Sequence, residues 1–94
     1  RLEWQLSADK ARHAKRLLTR AAAKREGARS EVLLSLLHES VPELSQDEAL
    51  DLFRGIRDIL RRDGYWTLEE RPDGNYYVFL LEPLRRWWQR QFTV

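Results

Sequence analysis

Two aromatic segments around a proline–glycine turn set the strongest limit on the fold of this chain. The segments "YWTLEE" and "YYVFLL" flank Arg71-Pro72-Asp73-Gly74-Asn75, where proline fixes its own φ and glycine supplies a positive φ. The pattern predicts a β-hairpin over residues 65–81. Because an isolated hairpin is at best marginally stable in water, one face must pack on the rest of the chain. We expect that face to carry Trp66, Leu68, Tyr77, Phe79 and Leu81.

Two segments with helical periodicity come first in the chain. The first predicted helix covers residues 8–26, begins after Ser7 as N-cap, and ends before Gly27. It is amphipathic, with alanines and leucines on one face and basic residues over much of the rest. The second helix is predicted to begin with Ser30 as its cap and to end before Pro42, since a residue that precedes proline avoids the helical region.

A third helix is predicted between a capping box and a glycine. Ser45 followed by Glu48 three residues later is typical of a helix start, and Asp63-Gly64 marks the end. Gly55 lies inside this segment, so a break into two shorter helices near Arg54 is an open alternative. The expected inward positions are Ala49, Leu50, Leu52, Phe53, Ile56, Ile59 and Leu60.

The C-terminal segment "EPLRRWWQRQF" predicts a fourth helix, with Pro83 in its first turn. Leu84, Trp88 and Phe92 fall at helical spacing and form one apolar stripe, while Trp87 lies one step to the side. We expect Trp88 to lie in the core or in an interface. We expect Trp87 to lie at the rim, where its indole N–H could find a polar partner.

The order of these elements is that of a winged helix. The predicted fold class is mainly α with a small β-hairpin: a winged helix-turn-helix with three helices, a two-stranded wing and a C-terminal helix. This domain is expected to span residues 8–94. Residues 1–7, in which Leu, Trp and Leu alternate with polar residues, are expected to be a linker or a short strand.

Length and composition limit the class of protein. Ninety-four residues suit one domain, and the start at Arg1 together with the lack of methionine indicates a piece of a longer protein. The absence of cysteine excludes disulfides and thiolate metal sites. The longest apolar run, Tyr76 to Leu81, is far shorter than the roughly 20 residues that span a bilayer. We expect a soluble, cytoplasmic domain without a membrane role.

Recognisable catalytic motifs are missing from the sequence. The glycine spacing of a phosphate-binding loop does not occur. The two histidines, His13 and His38, stand on different predicted helices, and we expect each to be a partly exposed helix residue rather than a metal ligand. Acids at the start of the third helix are explained by capping and the helix dipole. We therefore expect a domain that is not an enzyme and that needs no cofactor and no metal.

Charge is divided strongly along the chain. Residues 1–29 hold nine Lys or Arg and three acids, residues 30–82 hold five and twelve, and residues 83–94 hold three arginines and no acid. The N-terminal half of the third helix is acidic, which disfavours major-groove reading by that helix. Nonspecific contact with the DNA backbone is an alternative. The candidate residues for it are Lys10, Arg12, Lys15, Arg16, Arg20, Arg57, Arg61 and Arg71.

Two simpler interpretations of the first helix stay open. Its charges could form an ordinary solvated helix face. Alternatively, Leu17, Leu18 and Ala21 could pair across a two-fold axis in a homodimer. The sequence does not decide the oligomeric state.

One stretch resembles a known family. Asp63-Gly64-Tyr65, Tyr77-Val78-Phe79, Leu84-Arg85-Arg86 and Trp87-Trp88 are similar to motifs of the C-terminal winged-helix domain that follows the ATPase core of bacterial and archaeal AAA+ and STAND-type ATPases. The resemblance covers about residues 45–92. It implies a non-catalytic accessory domain whose nucleotide site lies in an upstream part of the parent protein.

The leading hypothesis is an interaction or regulatory domain that docks on a protein partner or on the ATPase core of its own chain. The expected docking residues are Trp87, Trp88, Phe92, Arg85 and Arg86. The alternative is the DNA-binding domain of a transcriptional regulator, which would contact duplex DNA through its basic helices.

Overall fold

The computed structural model describes residues 8–92 of the chain, with side-chain environments from residue 10 onward. The predicted linker or strand at residues 1–7, including the proposed N-cap Ser7, lies outside the described residues. Seven elements follow one another: helix α1 (Ala8–Ala22), strand β1 (Ala28–Arg29), helices α2 (Ser30–Ser40) and α3 (Gln46–Arg62), strands β2 (Trp66–Arg71) and β3 (Gly74–Phe79), and helix α4 (Glu82–Phe92).

The described residues form a mainly helical domain with a small antiparallel sheet of three strands, in the order β1-β3-β2. The prediction of a two-stranded sheet was therefore incomplete. Ala28 pairs with Tyr77 and Arg29 with Tyr76, so β1 adds a third strand on the free side of β3. A strand of two residues has no periodicity to detect, since alternation needs at least four positions.

The hairpin itself is confirmed. Its register runs from Trp66 opposite Phe79 to Arg71 opposite Gly74, with Pro72-Asp73 as the connecting turn. On its inner face Trp66, Tyr77 and Phe79 are buried, and Leu68 is half-buried.

Leu81 was wrongly assigned to the inner face of the hairpin. It is 62% exposed, and β3 ends two residues earlier. The carbonyl of Leu81 accepts the backbone N–H of Arg85 at 3.1 Å, as a residue does immediately before a helix. The chain has already left the sheet at this point, so strand alternation no longer fixes the direction of the Leu81 side chain.

Helix α1 ends at Ala22, four residues before the predicted end. The turn that follows is closed by the Gly27 N–H, which donates to the Lys24 carbonyl at 3.0 Å. Gly27 itself has a φ of +84°. The predicted helix was too long because residues 23–27 must reverse the chain so that β1 can reach β3.

Ser30 is the first residue of α2 rather than its cap. Arg29 occupies the N-cap position with extended backbone angles, and it makes no side-chain capping hydrogen bond. Pairing with Tyr76 in the sheet holds Arg29 extended and thereby places the helix start one residue earlier than propensity suggests. The end of α2 at Ser40, before Pro42, agrees with the prediction.

Helix α3 is continuous through Gly55, so the alternative of two shorter helices is wrong. The capping box is confirmed: the Ser45 N–H donates to Glu48 Oε1 at 2.8 Å, and the Glu48 N–H donates to Ser45 Oγ at 3.2 Å. The helix stops at Asp63-Gly64 as predicted, with Arg62 as its last residue and Asp63 as the C-cap. The N–H of Tyr65 donates to the Leu60 carbonyl at 2.9 Å, which completes a Schellman-type end.

The core lies between the helices and the inner face of the sheet. From α3, Ala49, Phe53, Ile56 and Leu60 are buried, whereas Leu50, Leu52 and Ile59 are half-buried. From α1 the buried apolar residues are Ala11, Ala14, Leu17, Leu18, Ala21 and Ala22.

This packing corrects one expectation about α1 and argues against one alternative that the sequence left open. Leu17, Leu18 and Ala21 are each 0% exposed, so they are unavailable for pairing across a two-fold axis. His13 is only 6% exposed and is not the partly exposed residue that the sequence suggested. It precedes Leu17 by four positions and therefore shares the inward face of the helix.

Candidate functional site

Trp88 joins α4 to the rest of the domain. Its side chain is 4% exposed, and its ring lies against those of Tyr65 at 6.0 Å, Phe79 at 6.3 Å and Phe92 at 4.5 Å between centroids. Its indole N–H donates to Thr19 Oγ1 on α1 at 3.1 Å. Of the two roles expected for Trp88, the structure supports the core role, so this ring is not available as a docking contact.

Trp87 and Phe92 form an exposed aromatic edge on α4. Trp87 is 44% exposed and Phe92 39%, and their rings meet edge to face with centroids 6.2 Å apart. The rim position predicted for Trp87 is confirmed. Phe92 continues the apolar stripe of α4 in the last turn of the helix, where it remains exposed.

Arg85 and Arg86 have different environments although they are adjacent. Arg85 donates to both carboxylate oxygens of Glu82, at 2.9 and 2.7 Å, and to the Ala22 carbonyl at the end of α1, at 2.8 Å. Its side chain is 11% exposed, whereas that of Arg86 is 61% exposed. Arg85 thus stabilises the α1–α4 junction, and Arg86 remains accessible to a partner.

Glu82 is the shared acceptor at this junction. The hydrogen bond from Arg85, with further help from Arg86 and Arg25, lowers the pKa of Glu82 to about 2. The carboxylate is therefore ionised at neutral pH. Arg85 also donates to the carbonyl of Ala22, the last residue of α1. Its positive charge there interacts favourably with the negative end of the helix dipole.

A groove of about 640 Å³ runs along α1 between α2 and α4. We call it the basic groove, and it is lined by Arg12, Lys15, Arg16, Thr19, Arg20, Ala23, Leu36, Gln89 and Phe92. The five lining residues within α1, from Arg12 to Arg20, alternate in steps of three and one, which places them on a single stripe of the helix, and Ala23 follows its last residue. Four of the nine lining residues are cationic and none is acidic.

The structure brings together four of the eight candidate DNA contacts. Arg12, Lys15, Arg16 and Arg20 line the basic groove, whereas Lys10 is exposed on α1 outside that lining. Arg16 also donates to Ser40 Oγ on α2.

The other three candidates lie on different elements. Arg57 donates to Asp58 at 2.9 Å, and this hydrogen bond raises the pKa of Arg57 and lowers that of Asp58. Arg61 is exposed near the end of α3. Arg71 forms an ion pair with Glu69. These three cations do not line the basic groove.

Arg71 belongs to a cluster at the tip of the hairpin that the sequence did not reveal. Its guanidinium lies 4.2 Å from the centroid of the Tyr76 ring, and that of Arg29 lies 5.7 Å from it. The Tyr76 hydroxyl donates to Asp73 Oδ2 at 2.7 Å and lowers the pKa of Asp73. Arg71 also donates to the Glu26 carbonyl at 3.1 Å, so the tip is tied to the turn before β1.

The second histidine has a structural contact. His38 Nε2 donates to the Leu44 carbonyl at 2.8 Å. This hydrogen bond links the end of α2 to the loop before α3. Among residues 8–92, no three His, Cys, Asp or Glu side chains come together in a way that could hold a metal ion. No helix in the same range has the length and apolar character to cross a membrane.

Comparisons with protein-family models, with curated proteins and with solved structures find no match to this chain. The resemblance to the ATPase-associated winged helix therefore depends on its own motifs. In the structure these motifs have roles in folding: Gly64 ends α3, Tyr77 and Phe79 are in the core, Arg85 joins α4 to α1, and Trp88 is buried. Trp87 and Arg86 belong to the same motifs but are largely exposed, at 44% and 61%.

Proposed function

We propose that this chain is a non-catalytic docking domain of the winged-helix type, and that it acts as an accessory or regulatory part of a larger ATPase. The fold assignment is supported by the element order, in which a short strand separates the first two helices and a hairpin follows the third. The ATPase assignment is supported by the motifs from Asp63 to Trp88 that resemble the family.

The observation that carries the docking function is the exposed aromatic edge beside the basic groove. Large aromatic side chains with an accessible face are enriched at the centres of protein interfaces, and arginine is enriched with them. Trp87 is 44% exposed, whereas Trp88 beside it is buried in the core and donates its indole N–H to Thr19. Arg86 and Phe92 extend the same surface.

Docking would couple the domain to its parent by differential affinity. A partner or ATPase core that contacts this surface better in one nucleotide state than in another would shift the population toward that state. The domain needs no chemistry of its own for this role.

Site-specific photo-crosslinking tests the docking function. A benzophenone amino acid replaces Trp87 in the full-length protein expressed in cells, and a matched protein carries it at Glu70, an exposed residue of β2. We expect a discrete adduct with one protein, or with the ATPase core of the same chain, from position 87 but not from position 70. Equal, diffuse labelling from both positions would refute docking through this edge.

DNA binding is the second candidate function, and one observation favours it. One stripe of α1 carries four cations, as a surface that contacts the phosphates of a DNA backbone requires. They are Arg12, Lys15, Arg16 and Arg20. Against it, the acids at the start of α3, Asp47 among them, are exposed and would repel phosphate from that helix. A mobility shift with random duplex DNA at low salt tests this function, because even nonspecific binders reach a Kd of about 10⁻⁴ to 10⁻⁶ M at physiological salt.

A further inference from the structure

The basic groove combines two chemical properties along a single helix. Its cations, Arg12, Lys15, Arg16 and Arg20, lie beside apolar surface from Ala23, Leu36 and Phe92. From this combination we propose that the groove binds an acidic amphipathic helix of the protein partner. This proposal rests on the docking function above and names the chemistry of the partner.

The dimensions of the groove suit a short helix. The lining residues of α1 run from Arg12 to Arg20, and eight steps of about 1.5 Å give a length of about 12 Å. A partner helix of the same length has about two turns. Such helices bind through anchors at positions i, i+3 or i+4 and i+7, which enter the groove while the rest of the helix stays outside. A volume of about 640 Å³ accommodates a few side chains rather than a whole helix.

The charge of the groove determines the charge of its partner. The nine lining residues include four cations and no carboxylate. Glutamate or aspartate flanking the apolar anchors would face these cations, whereas a basic helix would be repelled. Arg16 has a partner in Ser40 Oγ, which is neutral, so this contact leaves its charge uncompensated.

The apolar part of the groove favours a peptide over a nucleic acid backbone. Phosphates would satisfy the cations, but they would leave Leu36 and Phe92 facing charged, hydrated groups. An amphipathic helix satisfies both parts of the surface at once. The adjoining Trp87 ring, in contact with Phe92 at 6.2 Å between centroids, would extend the apolar contact beyond the groove.

A designed peptide tests the proposal without knowledge of the natural partner. The probe is a fluorescein-labelled peptide of about fourteen residues, with leucines at helical i, i+3, i+4 and i+7 spacing and glutamates on the flanks. Its control is a scrambled peptide of identical composition. Fluorescence anisotropy with the 94-residue chain at about 0.1 M salt gives the Kd of each. We expect saturable binding of the probe that is at least tenfold tighter than binding of the scrambled peptide.

Matched variants locate the binding surface. We expect the double variant Lys15→Glu/Arg20→Glu to weaken binding at least tenfold, and Arg61→Glu/Arg62→Glu on α3 to change it less than twofold. Phe92→Ala should weaken binding several-fold, while Leu80→Ala, which is exposed outside the groove, should not. Circular dichroism confirms that each variant is folded before its Kd is compared.

Several outcomes would overturn the proposal. Equal binding of the probe and the scrambled peptide, or no effect of the Lys15/Arg20 reversal, would show that the groove does not recognise an acidic helix. Tighter binding of single-stranded or duplex DNA through the same residues would replace this proposal by the DNA alternative. If position 87 crosslinks to a partner but the peptide does not bind, the docking function stands and the helix proposal fails.

Discussion

Gly27 offers the sharpest test of how the third strand is held. It has a φ of +84°, and a Cβ atom there would overlap the Tyr77 carbonyl oxygen and lie 2.9 Å from the Tyr77 carbonyl carbon. Both atoms are backbone of β3, opposite Ala28 in the β1 pairing. Gly27→Ala must therefore either strain the backbone or separate β1 from β3.

The loss of stability in Gly27→Ala has two parts, the strain of the backbone and the steric overlap or its relief. A left-handed conformation costs an alanine about 1–2 kcal/mol. Forcing an extra carbon into a packed site costs about 1–3 kcal/mol. If β1 moves away instead, each lost hydrogen bond costs about 1 kcal/mol. We expect Gly27→Ala to reduce the free energy of unfolding by about 2–5 kcal/mol, a large part of the 5–15 kcal/mol typical of a domain.

Two other glycines separate backbone strain from steric overlap. Gly64 has a similar φ of +82°, but a Cβ there would have no neighbour within 4 Å. Gly64→Ala should thus cost only the strain of holding an alanine in the left-handed conformation, about 1–2 kcal/mol of stability. Gly55 is exposed within α3 and also has no neighbour within 4 Å, so Gly55→Ala should stabilise the domain by about 0.5–1 kcal/mol.

Urea unfolding followed by tryptophan fluorescence measures all three variants against the wild type. The expected order of stability is Gly55→Ala, wild type, Gly64→Ala and Gly27→Ala. If Gly27→Ala is no less stable than Gly64→Ala, the close approach of the turn to β3 is not as described, and the account of β1 given above is refuted.

The contact between Trp88 and Thr19 and the charge of Glu82 give two further predictions. Thr19→Val should destabilise the domain by about 1–3 kcal/mol, because the indole N–H of Trp88 is left without an acceptor. Thr19→Ser keeps the hydroxyl and should not destabilise the domain. Calorimetry measures both variants, and equal melting temperatures would contradict the prediction. Because the hydrogen bond from Arg85 lowers the folded-state pKa of Glu82 to about 2, its stabilising effect should be complete above pH 4.5 and be lost as the pH falls toward 2. The difference in unfolding free energy between wild type and Glu82→Gln should shrink over that interval, and a difference that stays constant with pH would refute the role of this ion pair.

Local signals predicted most of the elements. The capping box at Ser45, the stop at Gly64, the proline before which α2 ends and the Pro72-Asp73 turn all act within a few residues, so the sequence contains their full physical cause. The predicted roles of Trp87 and Trp88 also follow from spacing on one helix, which separates adjacent residues by about 100°.

Tertiary contacts determined what the sequence could not show. Strand β1 exists because β3 offers unpaired backbone groups beside it, and this pairing both shortens α1 and moves the start of α2. The exposure of Leu81 likewise depends on where the chain leaves the sheet for α4.

The candidate site divides in the same way. The amino-acid sequence alone determined that α1 is basic and that α4 carries an aromatic stripe, since composition and helical period are local properties. Only the tertiary structure decided that Arg85 is used at the α1–α4 junction and that Phe92 and Leu36 lie beside the α1 cations. The physical reason is that a groove between three helices depends on contacts among residues far apart in the chain, and the periodicity of one helix does not specify its neighbours.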